Sequence, residues 1–211
     1  MTLTERDREI LKALTVKVRV LALEQIASAW WPETDSGRRN ARRRLEEFAA
    51  SGLVARTRVH ARPLLSLEGP VFRWNPGEPG PDCGRLSWRL QSRWDKPPQT
   101  ITVFYATRKA VNRFGGVARG KIKNLSQLSH DVHVGAIYLL FLRTQPLLGT
   151  AWMGEDVLAP ARKHQKLPDA VLCDDAQNPL RAIEFGGAYP PERLAAFHED
   201  CARRKLPYEI W

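Results

Sequence analysis

The sequence predicts an α+β protein made of two units. Helix-like spacing of apolar residues comes first and is followed by alternating, strand-like segments, and a second helix, hairpin, helix and strand pattern follows residue 129. The charge changes at the same place, because residues 1–120 carry 22 Lys+Arg against 12 Asp+Glu, whereas residues 121–211 carry 11 of each. The whole net charge of +10 therefore belongs to the first half, which indicates a polyanionic partner there.

The composition narrows the class of protein further. A chain of 211 residues with 43% hydrophobic content can bury one large core or two small ones. No apolar run reaches the roughly 18 residues of a membrane span, and we expect no membrane partner. The N-terminus lacks the apolar core of a secretory signal, and Cys83, Cys173 and Cys201 show no zinc spacing or disulfide pattern. A cytoplasmic location is the expectation.

Two helices are predicted before the most basic segment. Thr4 provides an N-cap for a helix over 5–15, with acidic residues in its first turn. The β-branched segment 16–20 is predicted to be a connector or short strand. Apolar residues at helical spacing from Leu23 to Trp30 predict the second helix, which Pro32 ends.

The third predicted helix carries five arginines in seven residues, from Arg38 to Arg44. On a helical wheel its basic and apolar faces separate, and Gly52 is placed to close it. The predicted basic face contains Arg38, Arg39, Arg42 and Arg43, and the predicted apolar face contains Ala41, Leu45 and Phe48.

Strands are predicted at 53–59 and 71–74, joined by a loop with Pro63 and Gly69. Three helices followed by a basic hairpin are typical of the winged helix-turn-helix, in which the third helix enters the DNA major groove. Arginine binds phosphates or guanine edges, and Asn40 either pairs with adenine or serves only as a helix-start residue. A solvated basic helix in a small helical domain is the alternative interpretation. The predicted DNA-binding residues are Arg38, Arg39, Asn40, Arg42, Arg43, Arg56, Arg58 and Arg62.

The predicted domains are a winged helix over 1–78, a linker and extension over 79–128, and an α/β domain over 129–211. The extension contains a helix over 85–94, a strand over 101–105, and a short helix capped by Thr107. A basic connector then follows around Lys121 and Lys123.

The α/β domain is predicted from a helix over 130–141, a hairpin with strands 169–173 and 179–185, and a helix over 191–205. Residues 208–211 are predicted to be an edge strand, and 158–166 a loop. His130 and His133 are either a metal pair or, as more ordinary histidines, hydrogen-bonding groups within the fold. His164 and His198 have no diagnostic spacing.

Pro168-Asp169 and Glu184 resemble the acidic pair of the PD-(D/E)xK nuclease fold, in which carboxylates on adjacent strands hold magnesium. Glu155 is a candidate third carboxylate. The position expected for the lysine is Gly186, and Arg193 or Lys205 on the last helix are candidate substitutes. The other interpretation is that Asp169 caps a turn and Glu184 ends a strand.

Several segments together resemble the replication-relaxation family of bacterial and plasmid proteins. The resemblance rests on the opening Leu-Thr-Glu-Arg-Asp, the helix Arg-Arg-Asn-Ala-Arg-Arg-Arg-Leu, His130-Asp131, Pro168-Asp-Ala-Val and Ile183-Glu-Phe. It implies an N-terminal winged helix, a C-terminal domain related to restriction-type nucleases, and a role in plasmid replication or transfer. The chain departs from the family at Glu184-Phe-Gly, where an acidic Glu-x-Asp is usual.

The sequence thus predicts a double-stranded DNA-binding regulator of replication, transfer or transcription of a plasmid or mobile element. We expect no enzyme activity and no cofactor or metal, and a homodimer stays open. The alternative is a magnesium-dependent endonuclease using Glu155, Asp169 and Glu184. A third interpretation is a protein-interaction module, which the uneven charge disfavours.

Overall fold

The computed structural model describes residues 1–117, 125–159 and 167–211. It is a mixed α+β structure with two β-sheets. The predicted connector at Lys121 and Lys123, His164 and most of the predicted loop 158–166 lie outside the described residues. The helices are α1 (Glu5–Lys12), α2 (Leu23–Trp30), α3 (Asp35–Ala50), α4 (Cys83–Gln91), α5 (Arg108–Phe114), α6 (Leu125–Thr144), α7 (Pro146–Ala151), α8 (Glu155–Leu158) and α9 (Pro191–Arg203). The strands are β1 (Leu21–Ala22), β2 (Val54–Ala61), β3 (Phe72–Trp74), β4 (Gln99–Ala106), β5 (Trp152–Gly154), β6 (Ala170–Cys173), β7 (Pro179–Glu184) and β8 (Tyr208–Ile210).

The first three helices pack around one apolar core. The α1 helix begins with a capping box, in which Thr4 and Asp7 satisfy each other's backbone N–H groups, and it continues into a π-helical turn over Ala13–Lys17. Ile10, Leu14 and Ile26 are fully buried in this core. The predicted boundary between the helix over 5–15 and the connector that begins at residue 16 therefore falls inside this π-helical turn.

The first sheet has the order β1-β4-β2 and is antiparallel throughout. The β2 strand pairs with β4 over its full length, from Val54 opposite Ala106 to Ala61 opposite Gln99. The prediction that 71–74 forms the second strand of this hairpin is wrong. β4 offers eight residues whose Val103 and Phe104 are buried on opposite faces, whereas the three residues of β3 pair elsewhere.

The second sheet has the order β3-β8-β7-β6-β5. The last strand, β8, is parallel to β7 and antiparallel to β3, so the prediction of an edge strand at 208–211 is also wrong. Tyr208 and Ile210 are fully buried there on one face of the sheet, and Glu209 is buried on the other face. β3 lies in the predicted winged-helix domain but joins the second sheet, whereas β4 lies in the predicted extension but joins the first sheet. The two sheets therefore do not follow the predicted domain boundaries at 78 and 128.

The long helix α6 connects the two sheets. Leu128 and Val132, near its start, pack on the face of the first sheet that contains Val59 and Val103. Further along, Phe141 lies against Trp152 of β5 and against the C-terminal Trp211. Among the described residues, no helix is both long enough and apolar enough to cross a membrane.

Candidate nucleic-acid interface and carboxylate cluster

The helix α3 is fixed by local chemistry at both ends. Thr34 caps it by accepting a hydrogen bond from the Gly37 N–H at 3.0 Å. A Cβ on Gly37 would lie 2.1 Å from the carbonyl oxygen of Pro32, so only glycine fits this close turn. Gly52, with φ of +72°, follows the last turn in the left-handed region, as predicted.

The two predicted faces of α3 are separate in the structure. Ala41, Leu45 and Phe48 are completely buried and anchor the helix to α1 and α2. The exposed side carries a row of arginines that we call the basic stripe. The basic stripe consists of Arg38, Arg39, Arg42 and Arg43.

The members of the basic stripe are largely free of carboxylate partners. Arg38 lies 3.3 Å from Glu24, but both side chains are about 60% exposed, and such pairs contribute little. Within the described residues, no carboxylate lies within ion-pair distance of Arg39, Arg42 or Arg43. Asn40 is exposed beside them. Three uncompensated guanidinium groups therefore face solvent on one surface.

The fifth arginine of the run points inward. Arg44 donates from Nε to Oδ1 of Asp7 at 3.1 Å and from Nη2 to the second carboxylate oxygen, and it also contacts Glu47. Asp7 is completely buried. Burial raises the pKa of Asp7, but the hydrogen bonds from Arg44 and Thr4 outweigh that effect, so the pKa lies below its ordinary value. This pair fastens α3 to the start of α1, a role that the sequence analysis did not assign.

Strand β2 extends the basic surface. Arg56 and Arg58 are two apart, so they lie on one face of the sheet, and both are exposed. Arg56 lies 3.5 Å from Glu46, which follows Arg42 by four residues and so belongs to the same face of α3. The basic stripe and these two arginines consequently share one side of the molecule.

Arg62 does not join them. Its backbone N–H donates to Oγ of Ser129 at 2.9 Å, and its guanidinium carbon lies 5.2 Å from the ring centre of Trp94. Arg73, also predicted in the hairpin, lies in β3 and pairs with Glu209 at 3.0 Å. Both corrections follow from the pairing of β2 with β4, which directs the chain after residue 61 toward α6 and the second sheet.

The acidic residues predicted from the nuclease resemblance do meet. Asp169 Oδ2 accepts a hydrogen bond from the Phe185 N–H at 2.7 Å, and Glu184 Oε2 accepts one from the Asp169 N–H at 3.2 Å. The Glu155 N–H donates to the carbonyl oxygen of Asp169 at 2.9 Å. Burial and then the charge of Asp169 raise the pKa of Glu184 to about 8. We call the assembly the carboxylate cluster, which comprises Asp131, Glu155, Asp156, Asp169 and Glu184.

Cations of the chain itself occupy this cluster. His130 Nε2 lies 3.2 Å from Asp169 Oδ2. Burial alone would lower the pKa of His130, but Asp169, Asp131 and Glu184 outweigh it and raise that pKa to about 10. Arg19 donates two hydrogen bonds to Asp156, at 2.8 and 3.0 Å, and lies 2.8 Å from Glu155. Nothing in the local sequence around Arg19 connects it to a residue 137 positions away, so the sequence alone does not predict its role here.

The position expected for a catalytic lysine is closed. A Cβ on Gly186 would lie 2.6 Å from Cδ1 of Leu90 and 3.0 Å from Cγ2 of Ile210. Of the two predicted substitutes, Arg193 contacts the Tyr189 hydroxyl at 2.6 Å, and that hydroxyl donates to Glu184 at 2.8 Å. Lys205 is exposed at the turn after α9, with φ of +52°.

The histidines of α6 differ in charge. His133 is fully buried, and burial lowers its pKa to about 4. Its Nε2 accepts from the Leu65 N–H at 3.1 Å, so Nδ1 carries the proton and donates to the Ser129 carbonyl. This is the structural hydrogen-bonding role predicted as the ordinary one.

No group of three or more side chains suited to a metal ion is found within the described residues.

Comparison with protein families, curated proteins and solved structures finds no match to this chain.

Proposed function

We propose that this protein binds double-stranded DNA through the basic stripe of α3, with Arg56 and Arg58 touching the adjacent backbone. One observation carries the proposal: Arg39, Arg42 and Arg43 are exposed and have no ion-pair partner in the described part of the chain, while the opposite face of the same helix is fully buried. Residues three and four apart lie on one helix face, so the three side chains can follow one groove together.

The arrangement around α3 supports the same proposal. The chain runs helix, short strand, two helices and then two strands, and the sheet has the order β1-β4-β2. That order is the one expected of a winged helix, with β2 and β4 as the wing and residues 62–98 inserted at its tip. A regulator of replication, transfer or transcription of a plasmid or mobile element is the role we propose, with a homodimer as one form in which it would bind paired half-sites.

A binding assay tests the proposal. Duplexes selected from a random pool are titrated by fluorescence anisotropy at several salt concentrations, with the protein and with the double variant Arg39→Ala, Arg42→Ala. Each phosphate contact contributes about 0.9 to the slope of log affinity against log salt, so the variant should lose about 1.8 from that slope.

The matched control removes the same charge elsewhere. Arg85 and Arg89 are exposed on α4, which packs on α9 beside the second sheet, and Arg85→Ala, Arg89→Ala should change the slope by less than half as much. Equal losses in the two double variants would show attraction by net charge alone and would remove the assignment to α3.

We assign the carboxylate cluster a structural role within this proposal. Asp169 already pairs with His130, and Glu155 already pairs with Arg19. Leu90 also fills the space beside Gly186. Plasmid incubated with the protein and magnesium or manganese should therefore stay supercoiled. Nicking that disappears in Asp169→Ala would favour the endonuclease instead.

A further inference from the structure

A wide apolar groove lies on the side of the molecule formed by α1, α2, the segment 64–67, α6 and α7. Its volume is about 900 Å³, near the upper end of the roughly 300–1,000 Å³ typical of small-molecule sites. The main apolar side chains of its walls are Trp30, Leu64, Leu65, Leu67, Leu139 and Leu142.

Helix α6 supplies more apolar surface than the core uses. Ile137 and Phe141 are buried on its inner side, whereas Leu139 and Leu142 are only half-buried where they line the groove. A helix that is apolar all round is normally covered on every side. The partial cover over Leu139 and Leu142 therefore leaves apolar area that an occupant would remove from water.

A tyrosine also lines the groove. Tyr138 is 5% exposed, and we find no hydrogen bond to its hydroxyl within the described residues. A hydroxyl in an apolar site gives an occupant one oriented hydrogen bond.

The charges at the rim are not balanced. Lys12 and Arg143 line the groove and are exposed, and neither has a carboxylate of the described residues within ion-pair distance. The two carboxylates of the same rim, Glu9 and Glu24, are outnumbered by the cations Lys12, Lys17 and Arg143. Glu24 pairs with Arg38 at 3.3 Å, and Glu9 accepts a hydrogen bond from Trp30 Nε1 at 3.0 Å.

We propose that this groove binds a small amphipathic anion, with an elongated apolar body along Leu139 and Leu142 and an anionic head near Lys12 and Arg143. The apolar walls select the body and the uncompensated cations select the charge. This site borders the basic stripe where Glu24 pairs with Arg38, but it does not depend on the DNA-binding proposal.

Calorimetric titration with decanoate and with the neutral 1-decanol tests the proposal on the full chain. We expect saturable binding of one decanoate per protein. Lys12→Ala, Arg143→Ala should weaken decanoate by about tenfold, because exposed charges each contribute modestly, and should leave 1-decanol unchanged. Both side chains are exposed, so these variants should keep the circular dichroism spectrum of the protein.

A second pair of variants separates the groove from general apolar surface. Leu139→Glu should abolish binding of both ligands, whereas Leu180→Glu, at a 50% exposed position on β7 outside the groove, should leave both unchanged. Three results would overturn the proposal: no saturable binding by folded protein, equal weakening of both ligands by loss of Lys12 and Arg143, or a dimer in sedimentation equilibrium that Leu139→Glu dissociates. The last result would mean that a second copy of the chain covers the groove.

Discussion

Replacing Arg44 by alanine should destabilise the protein far more than replacing its neighbour Arg43. Arg44 holds the carboxylate of Asp7, which is completely buried, while Arg43 is exposed and has no ion-pair partner among the described residues. The two substitutions remove the same side chain from adjacent positions of one helix. Their difference therefore measures the inward contacts of Arg44, chiefly the buried ion pair with Asp7 and also the contact with Glu47.

The magnitude follows from the surroundings of Asp7. Removing one partner of a buried ion pair costs about 3–5 kcal/mol, because the other charge stays buried without compensation. The Thr4 N–H still donates to Asp7 at 2.7 Å, and the Arg44 side chain is 20% exposed, so the low end applies. We expect a loss of about 3 kcal/mol for Arg44→Ala and of less than about 0.5 kcal/mol for Arg43→Ala.

Urea unfolding followed by circular dichroism at pH 7 measures this difference. With a denaturant slope of about 3 kcal/mol/M, Arg44→Ala should lower the midpoint by about 1 M. The lowered pKa of Asp7 means that its stabilising contribution is present above the unfolded pKa of about 3.9 and is lost as the pH falls through the folded pKa. The gap between the two variants should therefore narrow below about pH 4. Variants within 1 kcal/mol of each other at pH 7 would refute the reasoning.

Two further predictions concern the second sheet. The pKa of His130 is raised to about 10, so its contribution is complete below its ordinary pKa of about 6.5 and is lost as the pH rises through the folded value. Between pH 6 and pH 10 the unfolding free energy of the unmodified protein should fall by on the order of 2 kcal/mol more than that of the His130→Gln variant. Parallel plots of unfolding free energy against pH for the two proteins would contradict this. Gly186→Ala should cost about 1–3 kcal/mol, because the new Cβ overlaps Leu90. Gly84→Ala in α4 is the control, because its Cβ would come no closer than 3.4 Å to Asp82. This control should be neutral or stabilising. Equal changes in stability for the two variants would show that the overlap with Leu90 adds no cost.

Local signals in the sequence were sufficient for most of the individual elements. The arginine helix follows from its periodicity and from Gly52, and α5 begins at the predicted cap Thr107. The hairpin of β6 and β7 is also confirmed, including its turn, in which Asp174 accepts a hydrogen bond from the Asn178 N–H at 2.8 Å. The resemblance to the nuclease fold implied that Asp169 and Glu184 form a pair, and the observed hairpin brings them together because its strands place residues near in sequence opposite each other.

The sequence by itself determined which helix is amphipathic and basic, where it ends, and which acids share a hairpin. Only the tertiary structure decided that β2 pairs with β4 and that β8 lies inside the second sheet. It also decided that Arg44 turns inward while Arg43 stays exposed, and that Arg19 and His130 pair with acids of the carboxylate cluster. The physical reason is the separation along the sequence of the residues that interact. Caps, turns and helical faces depend on residues a few positions apart, whereas strand partners and buried ion pairs depend on how much apolar surface the whole chain can bury at once.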